Sequence, residues 1–163
     1  KEGFTYRNPS EIQIIAKLLE DMNHQWMSQY DPDRPETRKE VGLITFYMAQ
    51  LAEFRDKFLH SKDYPALNLR IGTVDRFQGM ERQVVIVSLV RNNAKGIIGF
   101  AKAPERINVA FSRAQELLVI VGCKSLFARQ AKRSGDATEM YSKVAYVVEH
   151  EGRMINVSEF NQY

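Results

Sequence analysis

The chain has 163 residues, of which 44% are hydrophobic, which allows one domain with a substantial buried core and is too short to suggest two. The formal net charge of +3 permits an anionic partner without requiring one. The single cysteine excludes an internal disulfide framework, and no segment has the layout of a membrane span or a signal peptide. We therefore expect a soluble, cytoplasmic domain with no membrane partner. Because the chain does not begin with Met, we also expect it to belong to a longer protein.

The first third of the chain predicts a helix, a loop, a strand and a second helix. Apolar residues recur at helical spacing over residues 10–26, and Ser10 is placed to cap the start of that helix. Residues 28–40 contain two prolines and no apolar period, which predicts an exposed loop. Residues 41–46 form a short apolar run that predicts a strand. The helix after it would bury one face, made of Met48, Leu51, Phe54 and Phe58.

The rest of the chain alternates strands and helices. Nearly continuous apolar, β-branched runs predict three more strands, buried on both faces, at residues 69–74, 84–90 and 117–122. Helical patterns cover residues 105–114, 124–132 and 138–149, and residues 154–157 suggest a last edge strand. This order predicts one α/β domain over residues 1–163, with a mostly parallel central sheet flanked by helices. Because ligands gather at the carboxyl ends of parallel strands, we expect the residues that follow the strands to share one edge.

Two polar clusters interrupt this pattern. Residues 75–82, DRFQGMER, lie between two predicted buried strands, and residues 105–114, ERINVAFSRA, form a short predicted helix. Taken alone, the first cluster is equally well a solvated turn in which Gly79 supplies a positive φ. On spacing alone, the second is better explained as a surface helix with two ordinary arginines.

Together the two clusters resemble motifs of one family. Residues 74–91 (VDRFQGMERQVVIVSLVR) and 105–114 resemble motifs V and VI of superfamily 1 helicases, in the branch that contains the nonsense-mediated-decay helicase. Upstream, residues 41–50 (VGLITFYMAQ) are similar to motif IV, and residues 8–11 (NPSE) are similar to the N-x-x-E opening of the second RecA-like domain. The resemblance covers residues 6–127 and implies a RecA-like three-layer fold. Two positions depart from the family: Ser112 replaces the commoner Thr, and Glu105 stands where some members carry a second arginine.

The resemblance implies that ATP contacts this domain. Arg113 matches the arginine that reaches across a cleft to the γ-phosphate, a task that suits the planar fork of a guanidinium, and it is the first catalytic candidate. Gln78 and Glu81 match nucleotide-sensing positions of motif V and are the other catalytic candidates. The further ATP-binding candidates are Gly79, Arg106, Asn8 and Glu11.

The resemblance also implies contacts with single-stranded DNA or RNA. Motif IV places polar residues at a strand-to-helix turn, where helix-start amides favour a backbone phosphate; Tyr47 there is equally well a packing residue. Residues 91–104 predict a mobile loop whose basic residues and Phe100 suit a single strand, with a plain flexible loop as the alternative. The nucleic-acid candidates are Thr45, Gln50, Thr73, Asp75, Arg91 and Asn92.

The sequence lacks the phosphate loop and the acidic strand end that would hold ATP and Mg²⁺. No G-x-x-x-x-G-K-[ST] occurs, GCKS at residues 122–125 lacks the upstream glycine, and three separated histidines with one cysteine give no metal-ligand spacing. We therefore expect no metal in this chain, and we expect ATP and Mg²⁺ to be held mainly by a preceding RecA-like domain of the same protein. The rival interpretations are a RecA-like module that only binds nucleic acid or protein, and a free-standing nucleotide-binding enzyme, which the missing phosphate loop disfavours.

Overall fold

A four-stranded parallel sheet forms the centre of the computed structural model, which describes residues 6–59, 63–129 and 136–160. The strand order in this part of the chain is β2-β1-β3-β4, and every neighbouring pair is parallel. Each strand begins two or three residues before the apolar run that predicts it, because the residues at the amino edge of the sheet also pair through their backbones. The strands are β1 Lys39–Thr45, β2 Leu67–Thr73, β3 Arg82–Ser88 and β4 Ala114–Val121.

Helices connect and flank the strands. The α-helices are α1 Pro9–Trp26, α2 Met48–Phe54, α3 Pro104–Phe111, α4 Asp136–Glu151 and α5 Val157–Phe160. A π turn, Arg55–Leu59, continues α2. Of the helix expected at 124–132, the structure describes a π turn at Ser125–Arg129, and residues 130–132 lie outside the described residues. The edge strand expected at 154–157 is wrong, because residues 153–156 are irregular and α5 follows them.

The sheet lies between two helical layers, which confirms the expected RecA-like three-layer α/β fold. One face packs Val41 and Leu43 against α1 and α2. The other face packs Ile44 and Val85 against α3 and α4. This alternation along each strand is what a sheet covered on both faces requires. Met48 does not join the buried face expected for α2: it is the first residue of the helix and is 61% exposed.

The connection from β2 to β3 crosses the face of β1 with very little space. Residues 74–81 contain only a short 3₁₀ helix, Val74–Phe77, and the Phe77 ring lies directly on the sheet. A Cβ added to Gly42 would lie 2.8 Å from Phe77 Cε1, and one added to Gly72 would lie 3.0 Å from Cε2. The two glycines therefore allow the crossover to pack against the strands.

Strand β4 is more exposed than its apolar sequence predicts. In the described part of the chain it pairs with β3 alone, and Leu117 is 48% exposed. The expectation that the runs at 69–74, 84–90 and 117–122 are buried on both faces therefore holds for β3 but not for the edge strands β2 and β4, which among the described residues have a neighbouring strand on one side only.

Helix α1 begins one residue earlier than expected. Its first residue is Pro9, and the cap is Asn8 rather than Ser10, because Asn8 Oδ1 accepts a hydrogen bond from the Glu11 N–H at 3.3 Å. Pro9 suits the first helical position, since it has no N–H to satisfy there. None of the helices in the described ranges combines the length and apolarity that crossing a bilayer demands.

Candidate functional site

The candidate residues fall at two opposite edges of the sheet. At the carboxyl edge, Thr45 lies beside Thr73 on one side and Ser88 on the other. At the amino edge, Glu81 and Arg113 immediately precede β3 and β4, which are paired there through Arg82 and Ala114. Strands of seven residues separate the two edges by roughly 20 Å. The expectation of a single ligand edge therefore holds for the residues that follow the strands, whereas Glu81 and Arg113 lie at the other edge.

At the amino edge, Glu81 and Arg113 lie just before the paired starts of β3 and β4. The Arg113 carbonyl accepts from the Arg82 N–H at 3.0 Å, which fixes the start of β4 against β3. Arg113 Nη2 donates to Ser112 Oγ at 2.9 Å, while its Nε is buried and has no hydrogen-bond partner among the described residues. Gln115 Nε2 donates to Glu81 Oε2 at 3.2 Å. Arg113 therefore keeps donors that an anion could occupy.

Gln78 and Gly79 lie on the turn that leads to this edge. Both are exposed, and the turn is closed by the Met80 N–H donating to the Phe77 carbonyl at 3.0 Å. Gly79 has φ +76°, and no atom lies within 4 Å of the position that a Cβ would take. The glycine is therefore required by backbone conformation, and the space beside it is open to a ligand.

A salt bridge joins the two polar clusters. Arg106 Nη2 donates to Asp75 Oδ2 at 3.1 Å, and both side chains remain partly exposed. Asp75 follows β2 at the carboxyl edge, and Arg106 is in the first turn of α3. The salt bridge connects the segment between β2 and β3 to α3. Asp75 and Arg106, both expected to contact a ligand, thus already use one polar atom each for this bond.

Glu11 lies in a buried network at the carboxyl edge. Its Oε2 accepts from Ser88 Oγ at 2.6 Å and from the Val90 N–H at 3.0 Å, and its Oε1 accepts from Asn8 Nδ2 at 3.1 Å. Burial raises the pKa of the Glu11 carboxyl group from 4.5 to about 7, although the hydrogen bonds from Ser88, Val90 and Asn8 oppose that rise. Glu11 is 4% exposed, so its carboxyl group is almost completely shielded from solvent.

The same network removes other candidates from the surface. Gln50 is fully buried: its Oε1 accepts from the Asn8 N–H at 2.8 Å, and its Nε2 donates to Ser88 Oγ at 3.1 Å. Thr45 is also fully buried, and its Oγ1 accepts from the Tyr47 N–H at 3.4 Å. Asn8 donates to Glu11 and, at 3.0 Å, to the Val90 carbonyl. The polar side chains of Asn8, Glu11, Thr45 and Gln50 therefore bond within the fold, and ligand contacts by these four residues stay a prediction.

The loop that follows β3 forms hydrogen bonds to two buried tyrosines, and its expected mobility stays a prediction. Tyr47 is buried, and its hydroxyl donates to the Ile98 carbonyl at 3.3 Å and accepts from the Phe100 N–H at 3.2 Å. Gly99 permits this contact, since a Cβ there would lie 2.3 Å from the Tyr47 hydroxyl. Tyr141 of α4 donates to the Ala101 carbonyl at 2.9 Å. Tyr47 is therefore a packing residue, as its alternative interpretation held.

Aromatic rings and an arginine meet on the outer side of this loop. The Arg91 guanidinium carbon lies 3.8 Å from the centre of the Tyr6 ring, a cation–π distance. Tyr6 contacts Tyr47 edge-on at 5.6 Å, and Tyr47 contacts Phe100 at 5.5 Å. Tyr6 and Phe100 are partly exposed, and Asn92 is exposed beside them. We call Tyr6, Arg91 and Phe100 the aromatic–arginine patch. The sequence did not indicate Tyr6 as a site residue, since nothing in its local pattern links it to Arg91, 85 residues further along the chain.

A second surface feature at the amino edge was also missed. An open cleft of about 550 Å³ is lined by Trp26, Gln29, Thr37, Asn68, Gln83 and Gln115. Gln115 is the residue that contacts Glu81, so the cleft adjoins the Arg113 side of the domain. No group of three His, Cys, Asp or Glu residues within the described ranges could hold a metal ion.

The fold is that of a RecA-like α/β domain, with Arg113 partly exposed at one edge of the sheet and the aromatic–arginine patch at the other. The chain belongs to the AAA domain family, whose model matches residues 1–125. It is similar to DNA polymerase alpha-associated DNA helicase A of Saccharomyces cerevisiae, with 36% identity over 115 residues, which covers 71% of this chain and 15% of that protein. The resemblance to helicases that the motifs indicate is thereby confirmed.

Two further relatives widen the comparison. The Regulator of nonsense transcripts 1 homolog of Drosophila melanogaster is 37% identical over 98 residues, covering 56% of this chain and 8% of that protein. Helicase sen1 of Schizosaccharomyces pombe is 28% identical over 160 residues, covering 95% of this chain and 9% of that protein. The chain therefore corresponds to a small part of each of these relatives.

Proposed function

We propose that this chain is the second RecA-like domain of an ATP-driven superfamily 1 helicase. In this proposal it supplies Arg113 to ATP held by another domain of the same protein and forms part of a groove for single-stranded DNA or RNA. The observation that carries the proposal is the crossover of residues 73–82, which runs from the carboxyl edge to the amino edge and so could contact both candidate ligands. We propose the cytoplasm as the location, because the single cysteine, Cys123, is free.

The geometry of Arg113 supports a role in trans. The Arg113 side chain is partly exposed at an edge beside Ser112, so a phosphate approaching from a facing domain could accept from the exposed end of its guanidinium, while Nε lies buried behind it. An arginine placed against the charge that develops on a transferred phosphoryl group accelerates such reactions by about 10³ to 10⁵. Gln78 and Glu81 are exposed on the turn that leads to the same edge of the sheet, and they are the proposed partners for the nucleotide and the attacking water.

The crossover supports coupling between the two ligands. Thr73 and Asp75 stand at one end of it and Glu81 at the other, and the Phe77 ring fixes its middle against Gly42 and Gly72. Because the crossover is fixed to the sheet, Glu81 and Asp75 move together with the domain, so a movement of the domain towards ATP also displaces Asp75 relative to a bound strand. Arg106, which pairs with Asp75, extends that link to α3.

The aromatic–arginine patch supports the nucleic-acid edge. Single strands combine a phosphate backbone, which favours basic side chains, with bases that stack on aromatic rings. Arg91, Phe100 and Tyr6 provide both chemistries within one surface, and exposed Asn92 adds a hydrogen-bonding group. In the whole protein, Mg²⁺ would be bound outside the described residues of this chain, and this domain would contribute the arginine and the groove.

The test is single-strand-stimulated ATP hydrolysis by the complete protein that carries this chain, with wild type compared to Arg113→Ala and Arg113→Lys. We expect both variants to lose at least about 10³-fold in turnover while they retain affinity for an oligonucleotide, because lysine lacks the planar fork. Arg34→Ala, which removes an exposed arginine paired with Glu36, is the matched control. Unchanged turnover in Arg113→Ala would remove Arg113 from catalysis, and a wild type that binds the strand without hydrolysing ATP would favour the binding-module interpretation.

A further inference from the structure

The backbone makes an uncommon turn where the chain leaves β3. Among the described residues, Val90 is the one non-glycine residue with a positive φ, +67°. The Arg91 N–H donates to the Leu89 carbonyl at 2.7 Å, which closes a three-residue turn around Val90. A β-branched side chain disfavours this conformation, so neighbouring groups have to enforce it.

Glu11 is the group that meets this turn. Its Oε2 accepts from the Val90 N–H at 3.0 Å and from Ser88 Oγ at 2.6 Å. One oxygen is therefore hydrogen-bonded both to Ser88, the last residue of β3, and to the turn. Asn8 holds the other oxygen and also donates to the Val90 carbonyl at 3.0 Å. Both polar groups of the Val90 backbone are therefore bonded to the first turn of α1.

The helix start does not need the Glu11 carboxyl group for its own cap. In a capping box the acidic residue at this position would accept from the N–H of the cap residue. Here Gln50 accepts from the Asn8 N–H at 2.8 Å, and Glu11 is left free to bond to Ser88 and Val90. The N-x-x-E sequence at residues 8–11 thus serves a strand end 80 residues away as well as the helix.

The turn determines where the next residue points. Arg91 follows Val90 directly, lies over the Tyr6 ring, and donates from its Nε to the Ile97 carbonyl at 3.2 Å. A Val90 backbone that relaxed to a negative φ would redirect Arg91 and with it the start of the 91–102 loop.

We propose that Glu11 is a positioning residue for nucleic-acid binding: by holding the Val90 turn it sets the direction in which Arg91 and the 91–102 loop meet a single strand. The proposal rests on the proposed function for its ligand. Its structural half, the control of the loop by Glu11, can be measured without any nucleic acid.

The experiment uses three variants of the complete protein that carries this chain. Glu11→Met keeps most of the side-chain volume and removes every acceptor. Glu11→Gln keeps one acceptor oxygen for the Val90 N–H. Ser88→Ala, the matched control, disturbs the same buried network but leaves the bond between Glu11 and Val90. Circular dichroism checks that each variant is folded.

Two readouts separate loop control from general damage. Trypsin cleavage after Lys95, an exposed residue of the loop, reports the loop alone. The concentrations of a 20-nucleotide oligomer and of ATP that give half-maximal ATP hydrolysis report the two ligands separately. We expect Glu11→Met to accelerate cleavage several-fold and to raise the half-maximal oligomer concentration about tenfold, while the half-maximal ATP concentration stays within about twofold. Glu11→Gln and Ser88→Ala should stay within about threefold of wild type in both readouts.

Rescue supplies the sharpest test. Glycine adopts a positive φ without help, so adding Val90→Gly to Glu11→Met should recover much of the oligomer affinity. Tolerance of Glu11→Met, equal losses in Glu11→Met and Ser88→Ala, or a change confined to the ATP concentration would each overturn the proposal. A wild type that does not bind the oligomer would overturn both this proposal and the proposed function, whereas normal wild-type binding with an indifferent Glu11→Met would overturn this proposal alone.

Discussion

The stability of the chain should depend on pH through one buried carboxyl group. The pKa of Glu11 is raised by burial from 4.5 to about 7, and its neighbours Asn8, Gln50 and Ser88 carry no charge that could compensate. Between these two pH values the folded chain keeps a proton that the unfolded chain has lost, so the contribution of Glu11 to stability is highest below pH 4.5 and is lost as the pH rises to about 7. At about 1.4 kcal/mol for each pH unit, the difference corresponds to about 3 kcal/mol.

Urea unfolding of the 163-residue chain at several pH values from 4.5 to 8 measures this contribution, after coincident probes have shown a two-state transition. The Glu11→Gln variant is the control, because it cannot titrate and other ionisable groups cancel in the difference. We expect the wild type to lose about 3 kcal/mol relative to the variant between pH 4.5 and 7, and nothing further above that. Parallel pH profiles for the two proteins would refute the assignment of a raised pKa to Glu11.

Two further predictions concern the crossover and the nucleic-acid edge. Gly42→Ala should destabilise the chain by about 1–3 kcal/mol in urea unfolding, because its Cβ would lie 2.8 Å from the Phe77 ring; an added Phe77→Leu should cost less in that variant than in wild type, and additive effects would contradict the steric explanation. Arg91→Ala should weaken binding of the complete protein to a single strand several-fold and lower the salt dependence of binding by about one ion. Arg34→Ala, with the same loss of charge in the 28–40 loop, should leave that salt dependence unchanged, and equal effects of the two variants would contradict a specific role for the patch.

Much of the fold follows from local sequence pattern. The four apolar runs each correspond to a strand, because residues that fill a sheet covered on both faces are apolar and β-branched whatever their surroundings. The strand bounds could not be obtained in the same way. Lys39 and Arg82 belong to the strands through backbone pairing, which an apolar pattern of side chains does not reveal. The exposure of β4 was missed because strand order, which decides which strand is outermost, depends on tertiary structure.

The candidate site was less accessible to sequence reasoning. The resemblance located Glu81 and Arg113 at positions where the structure leaves their functional groups accessible or unpartnered. It could not separate surface polar residues from buried ones, so Glu11 and Gln50 were assigned to ligands although they bond to Ser88. Burial of a polar residue depends on distant partners that supply its hydrogen bonds, and such partners are not visible in a local motif.

Two buried side chains at the carboxyl edge, Glu11 and Tyr47, hold opposite ends of the 91–102 loop. Glu11 fixes the start of the 91–102 loop through Val90, and Tyr47 fixes its far half through the backbone of Ile98 and Phe100. A loop held at both ends retains little conformational freedom between them, so binding a strand would cost it little ordering entropy. The crossover, which Phe77 anchors to the sheet, connects the amino edge to Thr73 and Asp75 at the carboxyl edge, where this surface lies. Under the proposed function, a preformed loop and a preformed crossover would keep their structure when ATP binds. We therefore expect ATP to change the orientation of this domain relative to its partner domain. Trypsin cleavage after Lys95 should then be the same with and without a nucleotide analogue, while cross-domain distances change.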